Sequence, residues 1–334
     1  MRFGLFGGAQ ARRGLTPAES ARGYHDVVEY HIEAEALGFH GSFITEHHFT
    51  KIGQVSATPM LLTWIAARTT TLRLGTAVIV LPWHNPILLA EQTATLDLLS
   101  GGRLDFGIGK GYRHNEFSGF CMAPEEAEPR FEEALIVMTR AWTADEPFSH
   151  RGRYWNFADV VVEPPPTQRP HPPLWMAASK PESIRDCARR GFNLLLDQFA
   201  SPDLTGERLQ IYRNAIEAAG HRFDPTQVAV ARNFWVATDA DDRAAALKRQ
   251  AAAHQRLLSL SRGPESRPGS HILGYSDEPG AREAHALIGT PEEIAEKLEA
   301  LRKCGVRYVL LSGQGSRENL HRFAREVMPA FSEP

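Results

Sequence analysis

The sequence predicts an α/β fold, a (β/α)8 barrel of the TIM class, and three observations carry that expectation. Apolar runs rich in β-branched residues alternate with helical patterns almost from one end of the chain to the other. Eight such runs occur, and they are continuous rather than alternating, as in Thr76-Ala77-Val78-Ile79-Val80-Leu81, which suits parallel strands covered on both faces. The length, 334 residues with 43% hydrophobic content, exceeds the usual single domain unless the fold is a barrel. One barrel domain over 1–334 is therefore expected, with a doubly wound sheet as the alternative.

Taken in order, strands are expected at 2–6, 39–45, 72–80, 103–108, 174–177, 192–197, 228–236 and 306–311. The helices between them are expected at 18–37, 55–69, 86–99, 130–144, 181–190, 203–219, 240–260 and 290–303, with 317–328 closing the chain. Thr16-Pro17-Ala18-Glu19 and Thr290-Pro291-Glu292-Glu293 each place an N-cap threonine, a first-turn proline and a capping-box glutamate at a helix start. Gly38 and Gly191 stand where helices should end.

Two segments interrupt the alternation. Residues 146–173 run through Tyr154-Trp155-Asn156-Phe157 into a proline-rich stretch, Glu163 to Pro173, that excludes a helix and predicts a hairpin followed by an extended arm on the outside of the barrel. Residues 261–288 combine glycines, prolines and charges over a length that, in a compact barrel, predicts a mobile lid loop.

Composition narrows the partners. A net charge of −3, with both signs mixed along the chain, argues against nucleic acid and against an anionic membrane, and leaves small molecules. The first residues hold too short an apolar run for a signal peptide and no later run approaches a membrane span, so the cytoplasm is the expected compartment. Cys121, Cys187 and Cys304 lack the spacing of a zinc site or redox pair and are expected to be reduced and structural, with no metal bound.

The chemistry is expected at the carboxyl ends of the strands, where barrels of this class place it. That rule gathers Phe6, Glu46-His47-His48, the turn Leu81-Pro82-Trp83-His84-Asn85, the loop Gly107-Ile108-Gly109-Lys110-Gly111-Tyr112-Arg113, Ser179-Lys180 and Asp197-Gln198. Histidine titrates near neutral pH, so His47 and His48 beside Glu46 suit proton transfer. The glycines around Lys110 let backbone approach a ligand while one cation reaches an anion, although their spacing matches neither a Walker loop nor a dinucleotide fingerprint. Ala177-Ala178-Ser179-Lys180-Pro181-Glu182-Ser183 turns a strand into a helix whose first amides can bind phosphate.

Five blocks in this order, Phe3-Gly4-Leu5-Phe6, Glu46-His47-His48-Phe49-Thr50, Leu74 to Pro82, Ser100 to Gly111 and Ile288 to Glu293, resemble the bacterial luciferase-like, flavin-dependent monooxygenases over nearly the whole chain. The resemblance implies a luciferase-like TIM barrel that takes reduced FMN (FMNH2) from a separate flavin reductase, forms a C4a-peroxyflavin with O2 and inserts one oxygen atom into a small organic substrate. It also implies a homodimer or one chain of a heterodimer. By position, His47 matches the family's catalytic histidine, with Glu46 and His48 orienting or supporting it. Lys110 stands where luciferase has an arginine that meets the FMN phosphate, and Ser179 and Ser183 stand at the phosphate hydroxyls. Ala77-Val78 falls where these enzymes often carry a non-proline cis peptide against the flavin ring, and Phe6, Gly109, Tyr112, Ala178, Asp197 and Gln198 complete the implied cofactor contacts.

The departures bear on substrate. Gly109 replaces luciferase's reactive cysteine, Ala178 a glutamate, and Asp197-Gln198 a Ser-Trp pair, so light emission on a long-chain aldehyde is not expected. An alternative within the same superfamily is hydride transfer with the deazaflavin F420, whose longer anionic tail Lys110, Arg113 and Lys180 could receive. A metal-dependent barrel hydrolase using Glu46, His47, His48 and His84 is the alternative of another class; adjacent histidines on a strand would point to opposite faces and so serve one metal poorly.

Overall fold

The computed structural model of the protein describes residues 1–9, 16–51, 54–261, 284–313 and 316–332. The chain forms β1 (Arg2–Gly7), α1 (Pro17–Ala36), β2 (Gly41–Ile44), α2 (Thr58–Ala66), β3 (Arg73–Thr76), β4 (Ile79–Val80), α3 (Pro86–Leu99) and β5 (Leu104–Gly109). It continues with α4 (His114–Gly119), α5 (Ala127–Thr143), β6 (Phe148–Arg151), β7 (Asn156–Val160), β8 (Leu174–Ala177), α6 (Pro181–Arg189), β9 (Asn193–Leu196) and α7 (Pro202–Ala218). The last elements are β10 (Val228–Val236), α8 (Ala240–Ser261), β11 (Leu287–Gly289), α9 (Pro291–Lys303), β12 (Tyr308–Ser312) and α10 (Arg317–Glu326). Eight strands pair in the closed order β12-β1-β2-β3-β5-β8-β9-β10, β10 returning to β12, which is the parallel barrel expected from sequence. None of the described helices is long and apolar enough to cross a membrane.

The expected strand at 72–80 is two strands. Leu74 stands opposite Leu104 but Ile79 stands opposite Ile108, so the β3–β4 side carries one more residue than its β5 partner and bulges at 77–78. The Ala77–Val78 peptide there is cis, as the resemblance implied. Two elements went unanticipated: helix α4, directly after the glycine loop, and strand β11, which pairs with β10 through Leu287↔Phe234 and Ile288↔Trp235. Residues 262–283, most of the stretch expected to be a lid, lie outside the described residues; its last residues, Leu287 and Ile288, are buried in β11.

Helix boundaries follow the signals read above. At Thr290 the side chain accepts from the Glu293 N–H while Glu293 accepts from the Thr290 N–H, a complete capping box, and Thr16 with Glu19 repeats it at α1. Gly38 and Gly191, with φ of 86° and 70°, end their helices in the left-handed region.

The chain divides into two compact units: Met1–Gly7 with Glu29–Phe43 and Met176–Pro334, and Gly8–Val28 with Ile44–Trp175. The first is cored by Phe3 against the edges of Phe323 and Phe331 at 5.3 and 6.3 Å. The second packs Phe106 edge-on to Trp142 at 5.8 Å, and the Trp142 indole N–H donates to the Ala90 carbonyl. In this second unit Arg103 ties α2 to β3: its guanidinium donates to the carbonyls of Ala66, Thr69, Leu72 and Ser100 and to Thr69 Oγ1. The expected hairpin is β6–β7, fastened by Glu133, which accepts the amides of Arg153, Tyr154 and Trp155. The proline arm is fastened by Gln168, whose backbone and side-chain N–H groups donate to the buried carboxylate of Asp97.

Candidate active site

β2 ends at Ile44, so Glu46, His47 and His48 occupy the loop beyond it, not the strand itself. The His47 N–H donates to the Val55 carbonyl, which fixes that loop. The two histidines turn to different carboxylates. His47 Nδ1 lies 3.1 Å from Glu116 Oε1 on α4, and the same oxygen accepts the His48 backbone N–H at 3.0 Å. His48 Nε2 lies 3.2 Å from Glu46 Oε1, which His84 Nε2 reaches at 2.7 Å. Glu46 Oε2 accepts the Val80 N–H at 2.7 Å.

Glu46 thus serves three donors from two loops and is 2% exposed. Burial opposes its charge, but the hydrogen bonds from His48 and His84, the charge of His84 and the Val80 N–H outweigh it and hold the carboxyl at about 2. Burial is also the main influence on His47 and depresses its pKa; the hydrogen bond to Glu116 opposes that, and the charge of Arg113 adds to it. Glu116 Oε1 already accepts the His48 N–H, and as an acceptor toward His47 too it places the ring hydrogen on Nδ1. Nε2 then offers a lone pair, and no partner meets it among the described residues.

The support expected from Glu46 therefore comes to His47 from Glu116, 69 residues further along the chain. Sequence reasoning stopped at Arg113 and missed Glu116 and the role of His84. The available signal was one carboxylate in the polar run His114-Asn115-Glu116 after the glycine loop, a pattern too short to stand out.

Other expected residues fall as follows. Gly109 abuts Val78: a Cβ on Gly109 would come within 2.5 Å of Val78 Cγ2. Lys110 Nζ holds both carboxylate oxygens of Glu128 at 2.6 Å and lies 5.2 Å from the Phe131 ring centroid, so its charge is already answered within the protein. The Tyr112 hydroxyl accepts, at 3.4 Å, from Arg113 Nε.

In the other unit, Phe6 pairs with Ser312 near the end of β1, and the Ala178 N–H donates to the Leu195 carbonyl. Ser179 is 5% exposed and its hydroxyl has no hydrogen-bond partner among the described residues. Ser183 is exposed on the first turn of α6. Asp197 accepts the Phe199 and Ala200 amides and pairs with Arg208 at 2.8 Å, a structural engagement that its cofactor assignment did not foresee. Gln198 Oε1 is buried without a donor among the described residues.

A family model described as luciferase-like monooxygenase matches residues 1–308. The oxygenase component of the flavin-dependent trigonelline monooxygenase of Acinetobacter baylyi is 27% identical over 351 residues, covering 100% of this chain and 96% of that protein. Among solved structures, the oxygenating constituent of 3,6-diketocamphane monooxygenase from Pseudomonas putida, in complex with FMN, superposes with a TM-score of 0.80 at 20% identity, over 100% of this chain and 99% of that one. An F420-dependent secondary alcohol dehydrogenase superposes with a TM-score of 0.79 at 19% identity, over 99% of each chain.

Proposed function

The chain belongs to the luciferase-like monooxygenase family, and on that premise we propose that it is the oxygenase of a two-component system, taking reduced FMN from a separate flavin reductase and inserting one atom of O2 into a small organic substrate. The family makes it a flavin-dependent oxidoreductase; FMN, the reductase, a dimeric assembly and the residue roles are the proposal. The observation that carries it is His47, its Nδ1 fixed on Glu116 and its Nε2 open. A base so oriented can take a proton from a reacting oxygen and return one to it, and its depressed pKa favours the neutral form needed for the first of these.

The residues present fit FMN. Ser179 keeps a buried hydroxyl without a partner, which a phosphate oxygen would satisfy, and Gly109 and Gly111 keep side chains out of the glycine loop. Reduced FMN, when bound, supplies the two electrons that send one oxygen atom to substrate and the other to water. The protein's part is to hold His47 through Glu116, to hold the loop through Glu46, His48 and His84, and to offer the phosphate the hydroxyls of Ser179 and Ser183.

The test is an absorbance titration of the purified chain with FMN, reduced FMN and F420, followed by oxygen uptake with a flavin reductase. Tight binding of reduced FMN and reductase-dependent turnover are expected. A second reading, hydride transfer with F420, draws on the likeness to F420-dependent enzymes of the same fold. Binding of F420 alone would replace the first reading with the second.

A further inference from the structure

Arg113 is 3% exposed, and among the described residues no carboxylate pairs with it. Its Nη1 donates to Gln54 Oε1 at 2.9 Å, its Nε makes the long contact with the Tyr112 hydroxyl, and its guanidinium lies 5.7 Å from the Tyr112 ring centroid. Nη2 has no acceptor among the described residues. Buried charges are ordinarily paired, because an unanswered guanidinium forfeits its hydration. Even Lys110, three residues earlier and far more exposed, is paired, with Glu128.

The position of Arg113 gives its charge a use. Its carbonyl accepts the Glu116 N–H at 3.1 Å, so it stands one helical turn from the carboxylate that holds His47, and its charge bears on the His47 ring. The next residue on α4, Phe117, meets the Trp83 ring edge-on at 4.6 Å, and the Trp83 indole N–H is a buried donor without an acceptor among the described residues. Two unanswered donors on neighbouring elements call for an acceptor that the described protein does not provide.

We propose that Arg113 is the specificity residue of this site and that it receives a carboxylate carried by the organic substrate, through the bidentate geometry a guanidinium offers an anionic oxygen pair. The proposal rests on the flavin reading for the word substrate, but the anion site itself does not depend on it. The same guanidinium would also suit the phosphate of FMN. The carboxylate is favoured because Arg113 stands one helical turn from the carboxylate that holds His47, so an anion on it would lie beside the proton-handling pair.

The test measures binding, not turnover, by calorimetric titration of the full chain with and without FMN, using benzoate and benzamide, which share a shape and differ in charge. Wild-type protein is expected to bind benzoate about tenfold to a hundredfold more tightly than benzamide. Arg113→Gln should abolish that preference and Arg113→Lys should restore part of it, while the ratio of FMN to riboflavin affinity stays unchanged in both. Equal binding of benzoate and benzamide by wild-type protein overturns the proposal, whatever the variants do. A fall in the FMN to riboflavin ratio in Arg113→Gln also overturns it, assigning the guanidinium to the cofactor phosphate. Failure of wild-type protein to bind FMN or riboflavin would remove the flavin reading and leave the benzoate comparison standing.

Discussion

His47 and Glu116 meet at 3.1 Å, Nδ1 to Oε1, across 69 residues of chain, and that one contact sets which ring nitrogen carries the hydrogen. His47→Ala is expected to lower turnover by about 10²- to 10⁴-fold with little change in flavin affinity, the scale of a general acid–base contribution. Glu116→Gln should cost less, about tenfold to a hundredfold, since the histidine remains but its orientation is no longer enforced. Rapid-mixing kinetics on both variants check the order; a Glu116→Gln enzyme with full turnover would strip Glu116 of its role.

The pH dependence of the same pair has a definite sign. Because the pKa of His47 is depressed, the acid limb of kcat/KM should fall below pH 6.5. Glu116 opposes that depression and Arg113 adds to it, so Glu116→Gln should move the limb further to acid and Arg113→Gln should move it toward neutrality. A pH profile of each variant reads the two displacements, and displacements in one common direction would contradict the assignment.

Glu46 should govern acid stability. Its carboxyl titrates at about 2 in the folded protein against 4.5 ordinarily, so the unfolded chain binds the proton more tightly. The stability it contributes is complete above pH 4.5 and is lost as the pH falls toward 2. Glu46→Ala, which strands His48, His84 and the Val80 N–H, should cost about 3–5 kcal/mol in urea unfolding at neutral pH and should flatten the loss between those limits.

Restoring the cysteine of luciferase should be resisted. Gly109→Cys brings a Cβ within 2.5 Å of Val78 Cγ2, and overpacking of that kind costs about 1–3 kcal/mol. Val78→Ala removes the opposing methyl groups, so the double variant should recover much of the loss, a coupling that urea unfolding of all four proteins measures.

Arg103 should be a stability residue. Arg103→Ala removes its bonds to the end of α2 and to Leu72 and should cost about 2–4 kcal/mol, and Arg103→Lys should recover little, because one ammonium cannot span carbonyls that the planar fork reaches from three nitrogens. Chemical denaturation at neutral pH compares the two.

Much of this architecture was legible because the barrel writes itself locally. Barrel strands such as Val228 to Val236 and Tyr308 to Ser312 are buried on both faces and read as largely apolar runs, and Thr290 with Glu293 completes its capping box within one turn. His47 was legible through its neighbours Glu46 and His48. Glu116 was not, because its partner is 69 residues distant and its own six-residue helix has no apolar period to announce it. The engagement of Lys110 was hidden for the same reason: Glu128 is one acid among several, and only the fold of the loop onto α5 selects it. β11 was concealed by composition, since two apolar residues and a glycine at the edge of a glycine- and proline-rich stretch carry too short a signal to separate from it.

The side chains proposed to hold or move a proton, from Glu46 through His84 to Glu116, come from one uninterrupted run of the chain within Ile44–Trp175. A single recombination event could therefore carry the acid–base set, with all its supporting partners, into another gene of the same architecture. Variation beyond residue 175 could meanwhile accumulate without separating a base from the acid that orients it. Inheritance in one block would let such catalysts trade substrates by exchanging segments, a route closed to a site whose acid and base are encoded at opposite ends of the reading frame.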